Sequence, residues 1–108
     1  MRVGHTIAVA GTGPIAADGT TVCAGDAFGQ AKRCLEIIET ALVEAGGQLS
    51  DVVRTRMYVT DMSKWQEIGK AHGEVFADIR PASTLVEVTA LARADWLVEI
   101  EADAILTD

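Results

Sequence analysis

The sequence predicts an α+β fold in which one mixed sheet carries two helices on one face. Two segments near the chain end, 80–88 and 98–104, alternate apolar and polar residues with period two, which is typical of strands with one buried face. Two other segments, 26–46 and 63–76, repeat apolar residues at helical spacing, and a further strand-like segment, 50–60, separates them. In 108 residues this alternation predicts a single domain, 1–108, built on one four- or five-stranded sheet.

The first element is predicted to be a strand, because residues 6–10 form a short apolar run. Residues 11–14, Gly-Thr-Gly-Pro, are a strong turn signal and end it. Asp18 and Gly19 predict a hairpin turn, with residues 20–23 as the returning strand.

The first helix is predicted from Asp26 to the glycine pair Gly46-Gly47, which supplies a stop. Its buried stripe consists of Ala31, Cys34, Leu35, Ile38, Leu42 and Ala45. The second helix is predicted to begin with Ser63 as its N-cap. The apolar positions expected to be buried on it are Trp65, Ile68, Val75 and Phe76.

The strands are predicted to leave one sheet face uncovered and charged. On segment 50–60 the inward side is Val53, Thr55, Met57 and Val59, and in the last strand it is Val98, Ile100, Ala102 and Ala104. The uncovered face is then expected to hold Arg54, Arg56, Tyr58, Glu87, Glu99 and Glu101. Because Tyr58, Leu85 and Leu97 are also expected there, the pattern favours contact with a partner subunit over exposure to water.

Composition excludes several classes of function. A net charge of −7, with only nine Lys and Arg residues, argues against a nucleic-acid partner. No apolar run is long enough for a bilayer span and no signal-peptide pattern opens the chain, so we expect a cytoplasmic protein without a membrane partner. Cys23, Cys34, His5 and His72 have neither disulfide-scaffold nor metal-ligand spacing, so no metal or other cofactor is expected.

Several segments together resemble the Rid family, also called YjgF or L-PSP. The segment 80–88, Arg-Pro-Ala-Ser-Thr-Leu-Val-Glu-Val, followed by 99–102, Glu-Ile-Glu-Ala, is similar to the family's C-terminal signature. Segment 4–11 resembles its first strand, 30–46 its first helix and 51–62 its central strand. The resemblance therefore covers nearly the whole chain.

The resemblance implies a chorismate-mutase-like fold assembled as a homotrimer around a central barrel, with small-molecule clefts between subunits. The best-known members are enamine/imine deaminases, in which an arginine in a Pro-Ala-Arg-Ser sequence binds the substrate carboxylate and a glutamate positions the water. The glutamate carries over to Glu101, but Ser83 occupies the arginine position. This implies a divergent subgroup without the carboxylate-binding arginine. Ribonuclease activity, also attached to the family name, is disfavoured by the acidic composition.

Three further departures concern the cleft. Ala10 stands where the family has a serine, although the backbone N–H of Gly11 remains available to a ligand. Gly69 stands in place of an asparagine. The chain also begins at the first strand, where the family has an additional segment with a cleft-covering tyrosine, and this implies a more open cleft or a short gene start.

The candidate site residues each have a structural alternative. Glu101 is either a general base for water or a partner of Arg54 or Arg56 in a salt bridge. Ser83 and Thr84 either contact a ligand or are ordinary strand-start hydroxyls, and Arg80 is close enough in sequence to reach the cleft.

Other conspicuous side chains favour structural roles. His72 lies on the apolar stripe of the second helix and is expected to be a hydrogen-bonded core or interface histidine. Trp65 and Trp96 are expected to pack in the core or at an interface, and Cys34 to be a small buried hydrophobe.

Two hypotheses of function follow. The first is a Rid-like enzyme that hydrolyses an enamine, imine or related carbonyl metabolite in intersubunit clefts. The second is a non-catalytic ligand-binding or interaction module that keeps the trimer.

Overall fold

A computed structural model describes residues 1–107 of the chain, and its centre is one five-stranded sheet. The strands are β1 Arg2–Val3, β2 Thr6–Thr12, β3 Val52–Val59, β4 Ala82–Glu87 and β5 Val98–Ile105. Their order in the sheet is β1-β2-β5-β3-β4. Only the β3–β4 pair is parallel, so the mixed sheet predicted from the sequence is confirmed.

The two helices are α1, Ala27–Glu44, and α2, Trp65–Phe76. The Asp26 side chain caps α1 by accepting a hydrogen bond of 3.0 Å from the Gly29 N–H, as the sequence predicts for a helix that starts there. Gly46 follows α1 with a φ of 94°, a conformation that glycine adopts without a steric penalty. Within the described residues neither helix is long and apolar enough to cross a membrane.

The start of α2 differs from the prediction. Asp61, and not Ser63, supplies the cap: its carboxylate accepts hydrogen bonds from the Ser63 N–H and hydroxyl and opens a 3-10 turn, Met62–Lys64. The α-helix then begins at Trp65, which is 54% exposed and not buried.

The prediction of a returning strand at 20–23 is also wrong, although the turn predicted before it is present. Asp18 accepts a hydrogen bond from the Thr20 N–H, and Gly19 has a φ of 86°. After this turn only one bridge forms, between Ile15 and Thr21. Positive φ angles at Cys23 and Gly25 then turn the chain away from an extended path before α1 begins.

The core lies between the sheet and the helices. The buried apolar residues from the sheet include Ile7, Val52, Met57, Val59, Val98, Ile100, Ala102 and Ala104, and those from the helices include Ala31, Cys34, Leu35, Ile38, Leu42, Ile68, Ala71 and Phe76. This confirms the inward face predicted for β5. In β3 a register shift between Val52 and Arg54 turns Val52 inward and leaves Val53 43% exposed, contrary to the predicted alternation.

The opposite sheet face has no helix over it, but its membership needs correction. Leu85 and Leu97 pack against the core and do not lie on the uncovered face. Glu87 is on the same side of β4 as Leu85, and its carboxylate accepts a hydrogen bond of 2.9 Å from the Met62 N–H. Residues 83, 85 and 87 share one side of β4 as the period predicts, but the contacts of Ser83 with Thr55 and His72 show that this side faces the helices.

Candidate functional site

A carboxylate held by two partners lies on the uncovered face of the sheet. The Tyr58 hydroxyl donates a 2.7 Å hydrogen bond to Oε1 of Glu101, and the Arg56 guanidinium lies 3.3 Å from the same oxygen. Arg56 also reaches Oδ2 of Asp103 at 3.4 Å. The strand register explains the cluster, because Arg56 pairs with Glu101 and Tyr58 with Glu99 across β3 and β5.

The arrangement keeps the Tyr58 phenol neutral. The pKa of Tyr58 is raised, first because its hydroxyl donates to the Glu101 carboxylate, then because of desolvation and the negative charge of Glu101. Both bonds to Glu101 use Oε1. No hydrogen bond to its second oxygen, Oε2, is seen within residues 1–107. The carboxylate is therefore fixed by one oxygen and can offer the other to a ligand or to water.

A second carboxylate, Glu99, lies beside Gly11. A Cβ added to Gly11 would fall 2.6 Å from Oε2 of Glu99, so only glycine lets this carboxylate approach the β2 backbone so closely. No ion pair of Glu99 is formed in the part of the chain that the structure describes. The glycine at position 11 therefore lies next to Glu99 and not next to Glu101.

Ser83 belongs to a different cluster on the helix-covered side. Its hydroxyl lies 2.8 Å from Oγ1 of Thr55, which is fully buried, and 3.3 Å from Nε2 of His72. Thr55 Oγ1 also lies 2.8 Å from the same ring nitrogen. Burial lowers the pKa of His72, so the ring is neutral near pH 7. His72 is a hydrogen-bonded histidine of partial burial that also contacts the Phe76 ring, in line with the structural role expected.

The predicted site residues are therefore distributed over both faces of the sheet. Thr84 pairs in register with Arg56 and shares the face of Glu101, whereas Ser83 is on the opposite face. Arg80 follows α2 with a φ of 56°, and its Nε lies 3.4 Å from the Ala77 carbonyl oxygen at the helix end. In the part of the chain that the structure describes, the sheet lies between Ser83 and Glu101, so no cavity of one subunit contains both.

Sequence reasoning missed two members of these clusters, Thr55 and the Tyr58 hydroxyl. Thr55 carried a usable signal, because a hydroxyl on the inward side of a central strand needs a buried partner. The Tyr58–Glu101 contact depends on strand register, which the sequence does not specify.

Other features of the surface do not join the site. A cavity of about 310 Å³ lies between the helices, lined in part by Lys32, Glu36, Glu39 and Glu74, and contains none of the candidate residues. Among residues 1–107 no group of three or more His, Cys, Asp or Glu side chains has the arrangement to hold a metal ion.

Comparisons with known proteins agree on one family. The chain matches the family described as Endoribonuclease L-PSP over residues 1–106. It is 38% identical over 104 residues to a RutC family protein of Pyrococcus abyssi, covering 96% of this chain and 81% of that protein. It is 32% identical over 99 residues to the 3-aminoacrylate deaminase RutC of Acinetobacter baylyi, covering 92% of this chain and 78% of the relative.

The fold is shared as well. The structure superimposes with a TM-score of 0.86 on the crystal structure of Rv2704 from Mycobacterium tuberculosis, a member of the YjgF/YER057c/UK114 family. That protein is 48% identical, and the match covers 97% of this chain and 82% of that chain. The observed sheet and two helices are thus the chorismate-mutase-like α+β fold that the resemblance implied. The chain belongs to the Rid (YjgF, L-PSP, RutC) family.

Proposed function

We propose that this protein binds a small imine or enamine, or a related carbonyl metabolite, and hydrolyses its carbon–nitrogen bond in clefts between the subunits of a homotrimer. The observation that carries the proposal is a carboxylate, Glu101, anchored through one oxygen on a sheet face that no helix covers. The 32% identity to a 3-aminoacrylate deaminase supports the reaction class. In this reaction water adds to the C=N carbon, and collapse of the adduct releases a carbonyl product and ammonia.

The separation of Ser83 and Glu101 supports clefts made by two copies. Because the two side chains lie on opposite faces of one sheet, a cleft that contains both must take one from each of two chains. A partner packed on the uncovered face would also bury the charged cluster of that face. The ion pairs of Arg56 with Glu101 and Asp103 would then offset part of the cost of removing these charges from water.

Glu101 is the proposed general base. A glutamate that takes a proton from water must hold one oxygen toward the water in a fixed direction. Tyr58 and Arg56 fix Oε1, which leaves Oε2 for this task. The proposed ligand contacts are the Ser83 and Thr84 hydroxyls, the Gly11 N–H and the Arg80 guanidinium, and no cofactor is needed for this hydrolysis.

Glu99 is the alternative base on the same face. It lies close to the Gly11 backbone and has no ion-pair partner within the described residues. Its carboxylate is therefore held by fewer interactions than that of Glu101, which pairs with Arg56. The two assignments predict different effects of a single Glu→Gln change at each position.

The test is a coupled assay in which an amino-acid or amine oxidase generates imines in situ and ammonia release is followed. We expect the wild-type protein to accelerate release, and E101Q to lower kcat by about 100-fold or more, the usual contribution of a general base. E44Q, at the exposed end of α1, is the matched control and should retain activity. A large loss in E99Q with little loss in E101Q would move the base to Glu99.

The second candidate is a non-catalytic ligand-binding or interaction module. It is favoured by Ser83, because a neutral hydroxyl occupies the position from which the family's arginine binds a substrate carboxylate. We include in this proposal that the chain represents a subgroup without that arginine. If no imine is turned over by the wild-type protein, while a small ligand still binds with equal affinity to E101Q, this candidate replaces the enzyme.

A further inference from the structure

Three polar side chains form a closed hydrogen-bonded triangle at the edge of the sheet. Thr55 Oγ1 lies 2.8 Å from both Ser83 Oγ and His72 Nε2, and the remaining side, from Ser83 Oγ to His72 Nε2, is 3.3 Å. Thr55 has no exposed surface, His72 is partly buried and Ser83 is exposed. The triangle thus connects the protein interior to a hydroxyl that a ligand can reach.

The protons of the triangle can be arranged in two ways. If Nε2 carries the ring proton, it donates to Thr55 and Thr55 donates to Ser83. The Ser83 proton then goes to the Pro81 carbonyl oxygen, 3.3 Å away, or to a ligand that replaces this bond. If Nδ1 carries the proton, Thr55 donates to Nε2 and Ser83 donates to Thr55, so Ser83 presents a lone pair to the outside. The imidazole stays neutral in both arrangements. Ser83 can therefore donate to or accept from a ligand without any change in the charge of the protein.

Within residues 1–107 of one chain, no Lys or Arg side chain bonds to the triangle. The Phe76 ring lies against His72, with its centroid 4.7 Å away. Arg54 pairs in register with Ala82, the neighbour of Ser83, so its side chain is on the other face of the sheet. Arg80, proposed above as a contact elsewhere on the ligand, donates at 3.4 Å to the Ala77 carbonyl at the end of α2 and to none of the three side chains of the triangle. A carboxylate at Ser83 would gain only a neutral hydrogen bond for the loss of its hydration.

We propose that Ser83, backed by Thr55 and His72, is a specificity-determining anchor that selects uncharged ligands: imines, amides or ketones without a carboxylate. The inference rests on the proposed function, since it names the substrate class of the same clefts. Ser83 contacts the ligand directly, whereas Thr55 and His72 are positioning residues that set whether its hydroxyl donates or accepts.

Two stable probes of equal shape test the anchor apart from catalysis. Isobutyramide is uncharged and isobutyrate carries a carboxylate. Their binding is followed by ¹⁵N NMR of the imidazoles, of which the chain has two, and the His72 signals are assigned by their loss in H72Q. We expect isobutyramide to shift the balance of His72 tautomers and to saturate at a concentration at least tenfold lower than isobutyrate.

Variants distinguish anchoring from general packing. S83A should weaken isobutyramide binding about tenfold, the effect of one neutral hydrogen bond. S83R should reverse the preference toward isobutyrate, because it introduces a guanidinium. T55V keeps the buried shape but should weaken the tautomer response of His72, because only the longer 3.3 Å contact with Ser83 remains. T40A, which removes an exposed hydroxyl from α1, is the control and should bind as the wild type does.

The inference is overturned if isobutyrate binds as tightly as isobutyramide, if S83A binds isobutyramide unchanged, or if neither probe perturbs His72 at high concentration. The proposed function fails on a different result, which is the absence of ammonia release from any imine. If kcat/KM is at least tenfold higher for imines derived from amines than for 2-imino acids, the result supports both the proposed hydrolysis and the uncharged-ligand anchor. Turnover of 2-imino acids alone would support hydrolysis and overturn the anchor.

Discussion

The two cysteines differ in their access to solvent. Cys23 is exposed, whereas Cys34 is fully buried in α1, and burial, with a smaller contribution from Glu99, raises the pKa of Cys34 to about 12. Because the thiolate is the reactive form, Cys34 should be inert in the folded protein. We expect a chromogenic disulfide reagent at pH 8 to titrate one thiol in the native state and two in guanidinium. The C23A variant should show none until it unfolds, and a second fast native thiol would contradict the burial of Cys34.

His72 should make the stability of the protein depend on pH. Burial lowers its folded-state pKa below the unfolded value of 6.5, so the unfolded chain binds more protons in the interval between them. The stabilisation from the neutral ring is therefore complete above about pH 6.5 and is lost as the pH falls through that interval toward the folded pKa. Urea unfolding at pH 7.5 and 5.0 should show a smaller loss of stability in H72Q than in the wild type. Equal losses would mean that His72 is not responsible.

At the scale of elements, the loop after β2 is built around Gly13. A Cβ at this position would lie 2.3 Å from the Trp96 ring, which is buried as the sequence analysis expects. Since both the ring and the loop are packed, G13A should force one to move and should destabilise the fold by about 1–3 kcal/mol, the usual cost of overpacking. Chemical denaturation measures this change.

Gly73 in α2 provides the matched control for Gly13. A Cβ there meets no other atom within 4 Å, and the residue lies inside a helix. G73A should therefore stabilise the protein by about 0.5–1 kcal/mol through helix propensity and reduced freedom of the unfolded chain. If G13A and G73A shift the free energy of unfolding equally, the close approach of Trp96 to the loop is not what requires Gly13.

Sequence reasoning performed best where a pattern extended over many residues. The helix α1 and strand β5 were predicted because six or more positions repeat the same period. It failed where one local contact decides the outcome, as at the Asp61 cap, the bulge at Val53 and the single bridge that replaces the strand at 20–23. The Ser83–Thr55–His72 triangle joins residues 11 to 28 positions apart, so only the packing of α2 on β3 and β4 brings them together.

At the scale of the whole molecule, the two sheet faces are different in character. The helix-covered face holds the apolar core and the neutral triangle, while the uncovered face holds the charged cluster of Arg56, Tyr58, Glu101 and Asp103. A net charge of −7 makes an uncovered acidic face unsuited to RNA and suited to a partner that supplies its own cations or apolar side chains. A second copy of the chain meets that requirement, since each copy presents both kinds of group.

Val86 offers a direct test of this assembly. It is 40% exposed and pairs in register with Tyr58, so it lies on the uncovered face. If copies of this face pack together, V86D places an additional charge in a desolvated contact that already contains Glu101 and Asp103, and we expect the protein to dissociate. Size-exclusion chromatography with light scattering should give a trimer mass for the wild type and a monomer mass for V86D.

The control for this experiment is V43D, which adds the same charge at a position on α1 that is 60% exposed. It should leave the mass unchanged, and far-UV circular dichroism should show that both variants keep their helices and strands. A wild-type monomer, or a V86D protein with undiminished mass, would mean that the uncovered face does not join the subunits. In that case Ser83 and Glu101 could not meet in one cleft, and hydrolysis would have to proceed on one face of the sheet alone.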